Sequence, residues 1–375
     1  MAQPDDFGFG EEAALLKESA RKLFSEHFSA GTLHALVAGD PDPNRAPQVQ
    51  WDMELWQQMV DLGWTLLAVP EAQGGVGMPL VGVAGLVEEA GRAAFPCPLL
   101  STLSASYILA AAGAGGEAAL ADIAGGATAA LVISNEHGSW TGAETSVSGE
   151  GDSLQGTGYF VQDAGKVSHL LVCASAESGP ALYWLPVDTD GVTVAQDAIV
   201  DLTRDQAHIS FDGAAARRVC TDAASALSEA MPAIWTLYAA DMVGAGEWQL
   251  QTTVEYVNQR QQFDKPLGFF QAVKHPLVNV MVMIDQAKSL VYNAACAVDC
   301  EVEKAARYAH MAQASASDMA AFASSRSVQM HGGIGFTWEC YVHLFFKRQK
   351  HTEMLWGDAV WHRARLAELL IDNAA

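Results

Sequence analysis

In "QMHGGIGFTWE", residues 329–339, three glycines fall within four positions, directly after an Ala/Ser-rich stretch that reads as helix. Glycine tolerates backbone conformations closed to other residues and lets an anion or another backbone come near. The stretch therefore suits a tight turn, a phosphate cradle or half of a site completed elsewhere. A second break, "DKPLG", lies at 264–268. Around these two breaks, from about residue 222 to the end, long Ala-, Leu- and Met-rich segments predict a helical bundle.

Upstream the texture changes. From about 126 to 218, "TAALVIS", "SVSGEGDSLQGTGYFVQ", "HLLVCAS", "ALYWLPV", "GVTVAQD" and "QAHISFDGA" are short β-branched or aromatic runs separated by Gly, Asp and Ser. That spacing predicts an antiparallel β domain, a barrel or a sandwich. Before it, "EEAALLKESARKLFSEHF" and "WDMELWQQMVDLGW" repeat apolar residues at helical steps, and "VGVAGLVEEAGRAAF" follows a Gly-rich turn. The prolines of "GDPDPNRAPQ" (39–48) predict a loop. The expected organisation is an α+β multidomain chain: helices over 1–125, a middle β domain over 126–221 and a helical bundle over 222–375.

A chain of 375 residues, 50% hydrophobic, is long enough for a large core divided among two or three domains. With 44 Asp and Glu against 21 Lys and Arg, the net charge of −23 repels phosphate backbones. That argues against nucleic acid or an anionic membrane as a general partner. A phosphate-bearing ligand must instead be held by a few local cations and backbone amides. Cys97, Cys173, Cys220, Cys296, Cys300 and Cys340 form no CxxC pair and have no His at metal-ligand spacing. The acidic, amphipathic start is unlike a signal peptide, and no apolar run reaches spanning length. A cytoplasmic, reducing environment is expected.

Three stretches, in order, carry a resemblance to the acyl-CoA dehydrogenase family over essentially the whole chain. They are "GWTLLAVPEAQGGVG" (63–77) with the following "VEEAGRAAFPCPLL", "YVNQRQQFDKPLGFFQAVKH" (256–275), and "QMHGGIG" (329–335). The resemblance implies a helical domain, a middle β domain and a C-terminal four-helix bundle. It also implies FAD as cofactor, with its ADP half lying across a subunit interface. In the implied chemistry a carboxylate removes the α-proton of an acyl-CoA while the β-hydrogen leaves as hydride to flavin N5. Hydrogen bonds to the thioester carbonyl stabilise the enolate-like transition state. Electron-transfer flavoprotein is the implied electron acceptor.

The ADP role maps onto Arg260, Phe263, Gln271, Gln329, Gly332 and Gly333. Arg260 offers a planar fork of donors suited to pyrophosphate. Phe263, three residues on, would share its helix face and present an apolar surface to the adenine end. Gln271 and Gln329 supply amide donors, and the two glycines let backbone amides approach an anion. Taken singly, Arg260 would equally suit a surface salt bridge and the glycines a helix C-cap.

Elsewhere the sequence departs from the family pattern. Asn135-Glu136-His137 stands where the family has Thr-Glu-Pro, and Trp140 occupies an Asp place. Phe160 takes a Trp place and Gln162 that of a Thr or Ser whose hydroxyl would reach flavin N5. The two positions from which members supply the base correspond to Gly357 and Ile234, so no catalytic carboxylate is expected. Asp241, Glu247 and Asp358 are nearby acidic residues, but one helical position rotates a side chain by about 100°. Near misses are poor substitutes.

An intact arm beside an eroded flavin face suggests one chain of a heterotetramer whose related partner supplies flavin pocket and base. "HGGIGFTWECYVHLFFKR" further resembles dehydrogenases of bulky CoA thioesters, notably steroid side chains. Two other readings stay open: a self-sufficient homotetramer with Asp241 or Asp358 as relocated base, and a cofactor-free scaffold of the same fold.

Overall fold

The computed structural model describes residues 8–38 and 49–371. The loop expected at 39–48 lies outside the described residues. The N-terminal helices are α1 (Glu11–His27), α2 (Ala30–Val37), α3 (Met53–Asp61), α4 (Leu80–Ala93), α5 (Leu99–Ala111) and α6 (Glu117–Ala124). Local chemistry sets their starts: the Asp52 carboxylate accepts the amides of Glu54 and Leu55, capping α3. Helix α4 is buried along nearly its whole length, including Glu88 and Glu89, each 1% exposed. Those charges survive burial because Lys17 and Lys288 flank Glu88 while Arg21 and Arg92 flank Glu89. Burial pushes the Glu88 carboxyl up, but Lys17 and Lys288 outweigh it and hold it below its ordinary range.

The middle region contains β1 (Ala129–Val132), β2 (Val147–Glu150), β3 (Ser153–Gln162), β4 (His169–Ala176), β5 (Gly179–Pro186), β6 (Val192–Gln196), β7 (Gln206–Ala215) and β8 (Arg217–Cys220). They form one eight-stranded sheet in the order β6-β7-β3-β2-β4-β5-β8, with β1 beside β4. The expected antiparallel pairing holds for most neighbours, but β4 takes both β1 and β2 in parallel. Strand alternation divides the sheet between two cores. Ala130 and Val132 join Leu170, Val172 and Tyr183 in a core of the β region, whereas Leu131, Leu171 and Trp184 face the helices.

The C-terminal bundle consists of α7 (Ala223–Gln259), α8 (Gln271–Cys300), α9 (Val302–His331), α10 (Val342–Thr352) and α11 (Ala359–Leu370). The two short helices together take the place of a fourth long one. Small residues such as Ala239, Ala240, Ala312, Ala316 and Ala320 let the helices approach closely. A short hairpin, β9 (Gln261–Gln262) and β10 (Lys265–Pro266), separates α7 from α8. No helix among the described residues is long and apolar enough to cross a membrane, and no disulfide joins the cysteines.

Histidines tie α11 to the bundle. His310 of α9 and His362 of α11 meet Nδ1 to Nδ1 at 2.7 Å, both buried. Burial pushes their pKa values down to about 4 and about 3, with the Arg365 charge adding to the first and His310 to the second. The unfolded chain binds protons below its ordinary histidine pKa while the folded chain does not. Stability from this pair is therefore complete above about pH 6.5 and falls as pH drops from there toward 4, by up to about 1.4 kcal/mol per unit and per histidine. Urea unfolding at pH 7.5, 6.5 and 5.5 should show this decline, and His362→Gln should make it shallower by one proton. An unchanged slope would remove the pair from the account.

Candidate functional site

The residues mapped to the ADP role gather at one end of the bundle. There α7 and α9 are bound together by Thr253 and Ser327, whose hydroxyl oxygens lie 2.8 Å apart. One turn further, Tyr256 stacks on His331 with ring centroids 4.3 Å apart, and its hydroxyl donates to the His331 carbonyl. Arg260 follows Tyr256 by one turn and Gly332 follows His331 directly, so these bonds bring the two segments to a common end. The hairpin adds Phe263, and Gln271 opens α8.

Phe263 does not share a helix face with Arg260. The helix ends at Arg260, whose backbone is extended at φ −72°, ψ 123°. The hairpin turn then places Phe263 and Asp264 at φ 54° and 59°, and Leu267 N–H donates to the Arg260 carbonyl at 2.8 Å. Phe263 is thereby held at the tip, 87% exposed, and among the described residues its ring meets that of Phe270 edge-on. An apolar ring held so far out of the core lacks an intramolecular reason.

Gly332 caps α9 at φ 66°, ψ −146°, a conformation that only glycine adopts without strain. Its amide donates to the carbonyls of Val328 and Gln329, so it is not free for an anion. Gly333 differs: it lies outside the left-handed region, and a Cβ built there meets no atom within 4 Å. Nothing among the described residues requires glycine at 333. Among the described residues, the side chains of Arg260, Gln271 and Gln329 make no hydrogen bond or ion pair, and all three are exposed. An unneutralised guanidinium, two idle amides, an open glycine and an outward phenyl ring fit a dinucleotide's ADP half approaching from outside the chain.

The side mapped to the flavin ring is filled by the protein itself. Trp140 packs on Trp356 at 4.8 Å and on Phe160 at 6.3 Å between ring centroids. With Ser101, Leu131, Gln162 and Tyr238 they enclose a void of only about 10 Å³. That barely admits one water. The Gln162 amide is occupied by the Phe160 carbonyl and by Gln206. Asn135 folds its segment back on itself, accepting the amides of His137 and Ser139 and donating to the Glu144 carbonyl. Glu136 and His137 point into solvent.

The acidic residues near the family base positions are all engaged. Asp241 is buried between Arg204 and Arg348. Burial pushes its carboxyl up, but the two guanidinium groups outweigh burial and hold it below the usual carboxylate range. A carboxylate so stabilised is a weak base. Glu247 pairs with Arg92 and Lys288. Asp358 caps α11, accepting the Trp361 amide at 2.8 Å. Ile234 is fully buried in the apolar core. At Gly357 the backbone is at φ 104°, and a Cβ would lie 2.5 Å from the Trp361 ring. Gly357→Glu should therefore add no activity and should lower stability by about 2 kcal/mol or more. Thermal unfolding and a turnover assay check it, and a stable, more active variant would show that the position can hold a base.

Sequence reasoning missed Tyr256, His331 and the plug formed by Trp140 and Trp356. The first two had a signal: Tyr256 precedes Arg260 by one helical turn, and His331 is the residue directly before Gly332. The plug had none, because its two tryptophans are far apart in sequence.

Residues 10–119 match the family model for the acyl-CoA dehydrogenase N-terminal domain, and residues 233–371 match that for its C-terminal domain. Acyl-CoA dehydrogenase IpdE2 of Mycobacterium tuberculosis is 32% identical over 340 residues, 90% of this chain and 91% of that one. The chain belongs to the acyl-CoA dehydrogenase family, whose chemistry uses FAD. Among solved structures it is similar to a variant of the Tcur3481–Tcur3483 steroid ACAD, with TM-score 0.85 and 27% identity over 97% of this chain and 99% of that one. It is also similar to a chain of the ChsE4–ChsE5 complex of Mycobacterium tuberculosis, with TM-score 0.84 and 26% identity over 98% and 99%.

Proposed function

We propose that this chain is the arm-lending subunit of a heteromeric acyl-CoA dehydrogenase that oxidises a bulky CoA thioester of the steroid side-chain class. A related partner chain supplies the flavin pocket and the base. The observation that carries this reading is the contrast within one chain: idle, outward ADP contacts at one place and a tryptophan-filled ring pocket at another. Two solved structures similar to it are named as a two-component steroid ACAD and a two-chain complex, which supports both the assembly and the substrate class.

In this reading Arg260 neutralises pyrophosphate, Gln271 and Gln329 orient it, and Phe263 covers the adenine end and excludes water there. FAD supplies the hydride acceptor, and electron-transfer flavoprotein takes the electrons onward. The proton is removed by the partner chain, since the acids here are tied in ion pairs or a helix cap. The outer apolar side chains Phe269, Val278, Met281, Val282 and Phe336, each at least 47% exposed, give the bundle a face for assembly.

The test uses the complex with its partner chain, a steroid side-chain CoA thioester and an artificial electron acceptor. Glu247→Gln and Asp358→Asn should each leave turnover per bound FAD within about twofold. Loss of a true general base costs about 10²–10⁴-fold. A fall of that size at constant FAD would make the altered residue the base and the self-sufficient enzyme the better reading.

A further inference from the structure

The glycine segment that forms the arm has a second anchor that neither the motif nor the ADP contacts account for. It runs from Gly332 to Phe336 as a short 3₁₀ turn and then reaches Trp338, which packs against the main core. The Trp338 indole is met edge-on by two imidazoles. His343 of α10 stands at 89° with centroids 5.0 Å apart, and His34 of α2 at 61° and 5.6 Å. The Lys347 ammonium lies over the same indole at 5.6 Å. Both imidazoles carry a buried Nε2 with no hydrogen-bond partner among the described residues. The electron-rich indole face attracts the Lys347 ammonium, and perpendicular ring pairs at these centroid distances are favourable packing.

Backbone bonds transmit this anchor to the glycines. Thr337 N–H and its hydroxyl both donate to the Ile334 carbonyl, at 3.0 and 2.9 Å, and Cys340 N–H donates to the Thr337 carbonyl. The segment is thus pinned at its start by Tyr256 on His331 and at its end by Trp338 among His34, His343 and Lys347. Between the pins, Gly332, Gly333, Ile334 and Phe336 are exposed, held in addition by the Gly332 amide on the Val328 and Gln329 carbonyls and by Phe346 edge-on to Phe336.

We infer that Trp338 is a positioning residue for the dinucleotide: clasped by His34, His343 and Lys347, it holds the Gly332–Gly335 backbone in the shape that receives the ADP half. This rests on the arm reading proposed above. Trp338 touches no reacting atom, so its effect should appear in cofactor affinity and not in the chemical step.

The experiment compares Trp338→Leu, Trp338→Phe, His34→Gln and Arg260→Ala in the assembled complex. It reads FAD affinity by equilibrium titration, assembly by light scattering, turnover at saturating FAD, and amide exchange over 332–341. Trp338→Leu should weaken FAD by about tenfold, the equivalent of about 1.4 kcal/mol. It should leave saturated turnover within about twofold and speed exchange across the segment, while Trp338→Phe recovers most of the affinity. If Trp338→Leu does not assemble, His34→Gln decides: about threefold weaker binding supports the role, from loss of one ring packed against the indole, and unchanged binding overturns it. Unchanged FAD affinity in an assembled Trp338→Leu complex, where Arg260→Ala does weaken it, overturns the anchor alone. Unchanged affinity in Arg260→Ala as well removes the arm reading on which the anchor depends.

Discussion

Replacing Asp241 by asparagine is expected to cost about 3–5 kcal/mol of folding stability, the cost of stranding a buried charge by removing its partner. Asp241 is 2% exposed and accepts from Arg204 at 2.8 Å and from Arg348. Arg348 also donates to the Thr203 hydroxyl at 3.1 Å, and Arg204 to that of Thr352. The cluster joins the segment entering β7 to α7 and α10, so its loss would loosen the β region from the bundle. Because the Asp241 pKa is depressed in the fold, its contribution is present above the unfolded value near 3.9 and is lost only as pH falls below it. The deficit of the variant should therefore be constant from pH 6 to 8. Urea unfolding measures it, and a deficit under about 1 kcal/mol would mean that the two arginines find other partners.

Arg260→Ala should weaken FAD binding by the assembled complex by about 10- to 100-fold, with the fold intact. A charge-assisted contact to pyrophosphate contributes about 1.5–3 kcal/mol. The fold should not suffer, because the guanidinium is exposed and has no partner among the described residues. Gln329→Ala should act in the same direction but by less, about 0.5–1.5 kcal/mol, since its donor is uncharged. Retained FAD measured after extended dialysis, with assembly confirmed in each variant, separates these outcomes. Equal retention by Arg260→Ala and the unaltered complex would refute the pyrophosphate role.

The sequence made the architecture readable where periodicity is strong. Apolar steps in 11–27, 53–61 and 80–93 and the short β-branched runs between 129 and 220 became helices and strands in those places. Two features resisted reading for physical reasons. The hairpin puts Phe263 at positive φ, where a bulky residue is rarely found, so the segment looked like continued helix. The parallel neighbours of β4 depend on chain crossings that local alternation does not encode. The residues proposed for the ADP role, Arg260 with Gln271 and Gln329 with Gly332 and Gly333, could be mapped from motif alone because the spacing within each stretch is local. The packing that fills the place mapped to the flavin ring could not, since Trp140 meets Trp356 only in the folded chain. Likewise, glycine at 357 reads as a missing acid in sequence, whereas in the structure the Trp361 ring leaves no room for a side chain.

The division of labour between two chains is the central claim, and the visible flavin spectrum tests it most directly. The chain should be purified alone and together with a related acyl-CoA dehydrogenase chain, and FAD counted per polypeptide after denaturation. The account predicts a colourless preparation alone and one FAD per pair of unlike chains in the complex. A yellow preparation of this chain alone, with one FAD per polypeptide, would contradict it.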